Sequence, residues 1–172
     1  MELKPTVSPL KIVVVSLLLL LIGGAAGVSI AFFVAKPSAV VAVPEKVKNA
    51  ITFPVYGPAE LPNGFVLDTR SFAAQENNEI VAFSARDSTN RLITFTEQAK
   101  PKDFDFASFY ANHMKNADSV SGTPFSSTLG KSKDETNYML SVSTPETWMI
   151  VTANSSLGAS EMQRIAKSIV RY

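Results

Sequence analysis

The sequence predicts an α+β fold: an N-terminal transmembrane helix followed by an antiparallel β-sheet domain with two amphipathic helices, in the order βββα-βββα. Three observations carry this. Residues 12–35 contain no charged side chain. Several later segments alternate apolar and polar residues with period two, as half-buried strands do. Two others, one after each group of strands, place apolar residues at helical spacing. Strands joined by tight turns pair antiparallel, and two amphipathic helices need a sheet to cover their apolar stripes.

Lys11 and Lys36 close the apolar run 12–35. As a helix, its length comes to about 36 Å at 1.5 Å per residue, against ~30 Å of bilayer hydrocarbon. A secretory signal has a shorter apolar core of about 7–15 residues. The run therefore reads as a retained anchor, with cleavage after Ala42, in the small-residue stretch that follows, as the alternative. Lys4 and Lys11 on one side nearly balance Lys36, Lys46 and Lys48 on the other, and long C-terminal domains translocate largely regardless of such counts. The expected layout is a short cytoplasmic tail (1–11), a transmembrane helix (12–35), a linker (36–52) and an extracytoplasmic α+β domain (53–172), single-pass in the cell membrane. Gly23, Gly27, Ala31 and Ala35 recur every four residues along the span. Such a ridge lets two helices approach closely and would support a homodimer. The plainer reading is that Gly and Ala are common in membrane helices.

Within the linker, Pro44 is suited to start a short helix that brings Val47 and Ile51 to one side. "FPVYGPAELPNGF" (53–65) holds three prolines and two glycines, so it is neither helix nor central strand. Its Phe53, Val55, Tyr56 and Leu61 suggest an extended segment packed on the domain, and Pro62-Asn63-Gly64 is a turn. Residues 65–72, 79–86 and 91–98 then read as strands, with a hairpin turn at 87–90. Asp103 or Asp105 can cap a helix that places Phe106, Phe109, Tyr110 and Met114 on one face. The second half repeats the scheme: a strand at 124–130, and a hairpin of 137–144 and 147–153 around Pro145-Glu146. The closing helix has Met162, Ile165, Ala166 and Ile169 at i, i+3, i+4 and i+7, Gly158 as cap, and Lys167 and Arg171 suited to the dipole at its end.

Composition removes whole classes of function. The chain has 16 Lys+Arg and 15 Asp+Glu. Past residue 36, where Lys4, Lys11, Lys36 and Glu2 drop out, 13 basic residues face 14 acidic ones without charge blocks. Nothing there invites nucleic acid. The absence of cysteine excludes disulfides, zinc-thiolate sites, thiol catalysis and lipidation through cysteine.

"FPVYGPAELPNGFVLD", "FDFASFYANHM" and "TWMIVTANSSLGASEMQRIAKSIV" together resemble a bacterial family of small single-pass membrane proteins. These carry an extracytoplasmic domain of unknown function, of the kind that also occurs beside anti-sigma-factor modules. The resemblance covers roughly residues 44–172 and lies in a Pro-rich "FPxYxPxxLPxGF" lead-in and a "TW" strand that runs into a helix ending "IAKSI". It implies the fold and an envelope location, and says almost nothing of activity. Gly57 stands where the pattern implies an aromatic residue, and only eleven residues precede the anchor, with no anti-sigma module among them. In topology alone the domain is also similar to small photosystem-associated and nuclear-transport-associated α+β proteins.

Candidate chemistry is sparse. His113, the single histidine, could form a Ser-His-Asp set with Asp103 or Asp105, but no nucleophile elbow or oxyanion loop accompanies it. "DFD" at 103–105 lacks calcium-loop spacing and suits capping better. Lys131, Lys133, Asp134 and Glu135 read as a solvated turn, Trp148 as strand packing or a ligand anchor, and Asn154-Ser155-Ser156 as a glycosylation sequon. No catalytic residue, metal site or cofactor is expected. The reading is a non-enzymatic sensing or interaction module held at a membrane, with an envelope protein or small ligand as partner. A small-ligand or lipid carrier, or less readily an envelope hydrolase, is the alternative.

Overall fold

The computed structural model describes residues 42–172. Its strands are β1 (Tyr56–Pro58), β2 (Val66–Gln75), β3 (Ile80–Arg86), β4 (Leu92–Ala99), β5 (Met114–Ser119), β6 (Ser126–Ser132), β7 (Asn137–Ser143), β8 (Thr147–Asn154) and β9 (Ile169–Arg171). The helices are α1 (Glu45–Lys48), α2 (Phe106–His113) and α3 (Ala159–Lys167), with a 3₁₀ turn at Ser155–Leu157. The predicted tail and transmembrane helix, with Gly23, Gly27, Ala31 and Ala35, lie outside the described residues. Among the described residues, no helix is long and apolar enough to cross a membrane.

Seven strands form one antiparallel sheet in the order β2-β3-β4-β8-β7-β6-β5, and β1 pairs with β9 as a separate antiparallel ribbon. Two meanders, β2-β3-β4 and β5-β6-β7-β8, thus meet where β4 pairs with β8. The α+β class and the antiparallel sheet stand. The order βββα-βββα needs correction: a short strand, β1, precedes the first meander, the second meander has four strands, and a further short strand follows α3.

β5 and β9 have local causes. The expected helix through Met114 stops at His113, because Met114 turns to extended backbone (φ −122°, ψ 151°) and starts β5. β5 is an edge strand whose register shifts between Lys115 and Asp118, and Asn116 takes a positive φ of 51° there. A bulged, polar edge hides the period-two signal. Gly130 on β6 makes the bulge fit, since a Cβ there would meet the Lys115 carbonyl oxygen at 2.8 Å and the Ala117 Cα at 3.2 Å. At the other end, the helical spacing carries through to Ile169, yet α3 stops at Lys167. The Ser168 hydroxyl donates to the carbonyls of Ile165 (3.1 Å) and Glu60 (3.1 Å), and Ile169 enters β9 still buried.

Alternation divides the large sheet into two faces. Rows across the first face run Phe83, Phe95, Val151, Leu140, Leu129 and, one step along, Val81, Glu97, Met149, Val142. Phe72, Phe83 and Phe95 stack along it at 4.4 and 4.7 Å. Met162, Ile165 and Ala166 of α3 join the same core, as do Val43, Val47, Phe53, Val55 and Ile169. Packing therefore reaches back to Val43 and Val47 (each 2% exposed), inside the stretch read as linker. On the second face Trp148 is buried beneath Phe104, Phe106 and Phe109, with ring centroids 4.8, 5.5 and 4.9 Å away. Asp105, rather than Asp103, caps α2: its Oδ1 accepts from the Ser108 N–H at 3.0 Å.

Candidate functional site

The Pro-rich lead-in forms a strap, residues 53–60, across the first face. Pro54 and Pro58 bring no N–H to it, so side chains and the C-terminal strand must satisfy its remaining polar groups. The buried Thr147 hydroxyl donates to the Pro54 carbonyl at 2.7 Å, and the Tyr172 N–H to the Val55 carbonyl at 2.9 Å. The Tyr172 phenol donates to the Pro58 carbonyl at 3.0 Å, and the Ala59 N–H to the Ser168 carbonyl at 2.8 Å. Gly57 explains itself here. A Cβ at Gly57 would clash with the Cζ, Cε2 and hydroxyl of Tyr172, so the C-terminal tyrosine takes the space beside the strap.

The Tyr56 N–H has an unusual partner, Oε2 of Glu97 on β4, at 2.9 Å. Glu97 is fully buried between Val81 and Met149, its neighbours on β3 and β8. Its second oxygen, Oε1, has no hydrogen-bond partner among the described residues. Burial pushes its carboxyl well above the usual range, against the smaller opposing effect of the Tyr56 N–H. Burial, and then the nearness of Glu97, push the Tyr172 phenol up as well. Sequence reading passed over Glu97. The available signal was an acid in the apolar phase of an alternating strand, at the third place after Ile93 and Phe95.

The residues singled out from sequence are dispersed. Asp105 and His113 lie at opposite ends of α2, about 12 Å apart along its axis at 1.5 Å per residue. Asp105 is taken up by Ser108, and its pKa is lowered by the Ser108 hydroxyl and N–H. His113 rests against the Phe109 ring at 4.7 Å, and burial and then the charge of Lys133 lower its pKa. Asp103 is exposed at a positive φ of 57°. No Ser-His-Asp set is assembled from these residues. Glu135 pairs with Lys115 at 2.7 Å at the surface, Asp134 bonds Ser132 and Thr136, and Lys131 lies 5.7 Å from the Tyr138 ring centroid. Trp148 is a packing residue whose Nε1 donates to the Ser141 hydroxyl at 2.9 Å; that hydroxyl also meets the Tyr110 phenol at 3.1 Å. The Asn154 Oδ1 accepts from the Ser156 N–H at 2.9 Å and caps the 3₁₀ turn. Among the described residues, no three His, Cys, Asp or Glu side chains come together to hold a metal ion.

No family model, curated protein or solved structure matches the chain.

Proposed function

We propose that this chain is a single-pass membrane protein whose extracytoplasmic domain acts as a non-enzymatic sensing or interaction module. The observation that carries the proposal is the uncharged run 12–35, long enough as a helix to cross a bilayer, followed by a domain whose packing begins at Val43. The resemblance of the strap and closing-helix motifs to envelope domains agrees with this reading.

Mass analysis of the membrane fraction tests the anchor, with an N-terminus before Lys11 as the expected result. A mature chain starting at Val43 overturns it. Protease added to intact cells should digest the domain and spare the tail. Crosslinking the full chain in native membranes, followed by mass spectrometry, is expected to join it to an envelope protein. Recovery of a bound lipid or small molecule instead would favour the carrier, and substrate turnover the hydrolase.

A further inference from the structure

We propose that Glu97 is a pH-dependent latch on the strap: as a neutral acid it holds the Tyr56 N–H and the strap lies closed, and on losing its proton it favours a state in which the strap lifts and water reaches the carboxylate. The geometry leaves the ionised form little alternative. Glu97 is fully buried, and among the described residues one oxygen has a single N–H donor and the other has no partner. A carboxylate in a dry site requires counter-charge or several donors.

The groups facing it from each packed element supply neither. β3 and β8 present Val81 and Met149. The strap presents the backbone of Tyr56. The C-terminal strand brings Tyr172, whose phenol is already committed to the Pro58 carbonyl. Arg171 of β9 and Glu146 ahead of β8 are surface groups that face each other at 3.8 Å. The strap is held by a three-residue ribbon, a few side-chain bonds and the buried side chains of Phe53, Val55 and Tyr56, while β4 and β8 pair along seven positions.

The sign follows from which state binds the proton. The unfolded or open Glu97 ionises near its ordinary value of about 4.3, while the closed form keeps its proton to a higher pH. Stability from the closed strap is complete below about pH 4.3. It falls as pH rises, by about tenfold in the closing equilibrium per pH unit, until the raised value is passed. His113 runs in the opposite sense, its pKa being lowered by burial and Lys133, but it belongs to α2 and is common to any Glu97 variant.

The test compares the full chain in detergent micelles with its Glu97→Gln variant from pH 5 to 9, by hydrogen exchange of the Tyr56 and Gly57 amides corrected for intrinsic rates. Glutamine keeps an oxygen for the Tyr56 N–H and does not titrate, so any loss of stability it causes is the same at every pH. The ratio of wild-type to variant protection should fall about tenfold per pH unit over part of this range. A constant ratio overturns the latch. If the variant does not fold, infrared spectroscopy of the wild type decides instead. The C=O stretch of one protonated carboxyl should persist above the ordinary glutamate range and disappear as strap protection falls. Absence of that band, or its loss without loss of protection, overturns the proposal.

Discussion

Asp87 and Glu97 are both carboxyls almost wholly removed from solvent, at 3% and 0% exposure, yet they are built in opposite ways. Asp87 sits in the β3–β4 turn. It accepts from the N–H of Thr89 (2.9 Å), the Thr89 hydroxyl (2.9 Å), the N–H of Arg91 (2.8 Å) and the Arg91 Nε (2.6 Å). Burial alone would raise its pKa; the Arg91 guanidinium and N–H and the Thr89 groups outweigh it and hold the carboxyl at about 2. Among the described residues, Glu97 has a single N–H donor and no counter-ion. Burial sets the penalty on a charge, and partners decide whether the charge survives it. The turn carboxylate fixes local geometry by staying ionised, while the carboxyl beneath the strap fits its site as a neutral acid.

The largest expected effect comes from truncating the apolar side chains packed on the first face. Ile165 of α3 and Ile169 of β9 are 0% and 2% exposed and share one core with the strap residues Phe53 and Val55. Truncating a buried Ile to Ala costs ~2–5 kcal/mol, and a domain of this size has about 5–15 kcal/mol in all. Ile165→Ala combined with Ile169→Ala should leave the domain mostly unfolded in a urea titration. Ile169→Ala alone should leave it folded but wetter, and should reduce the dependence of stability on pH above 5. Full retention of that dependence would show that Glu97 does not owe its environment to β9.

Asp87→Asn should have a smaller effect of the opposite pH sense. Hydrogen bonds to a charged group are worth roughly 1.5–3 kcal/mol. Arg91 is 43% exposed, which screens the pair and places the loss near 1 kcal/mol. A group with a depressed pKa contributes fully above its unfolded value of about 3.9 and loses that contribution as pH falls towards about 2. The gap between wild type and Asp87→Asn in thermal melts should therefore be constant from pH 5 to 7 and close between pH 4 and 2. A gap that instead widened on acidification would mean that Asp87 is neutral in the folded state.

Much of this architecture is written in local periodicity. β3, β4, β7 and β8 are legible because they are short, apolar-rich segments bounded by turns, each with neighbours on both sides in the sheet. The turn Pro62-Asn63-Gly64 is legible because Gly64 adopts a φ of 84° and the Phe65 N–H closes on the Pro62 carbonyl at 3.0 Å. β5 is not legible, since an exposed, bulged edge carries polar residues at both phases. β9 is hidden by Ile169, which continues the spacing of α3 and is buried on either reading. Glu97 looks like an ordinary strand residue until the strap is laid over it. That contact joins positions 41 apart in sequence, and short-range pattern carries no information about it.

The smallest expected effect tests the assumption on which the others rest, that α3 covers the sheet with one side only. Met162, Ile165 and Ala166 are fully buried, whereas Gln163 and Lys167, on the same helix, are exposed. Neither has a side-chain hydrogen bond to a described residue, unlike Arg164, which reaches Glu161 at 3.1 Å. Ala is the better helix former by a few tenths of a kcal/mol, and exposed substitutions away from special features stay within about 0.5 kcal/mol. Gln163→Ala with Lys167→Ala should therefore shift the urea midpoint little and leave the pH dependence unchanged. A loss comparable with that of the Ile165 and Ile169 pair would mean that the outer side of α3 is covered as well.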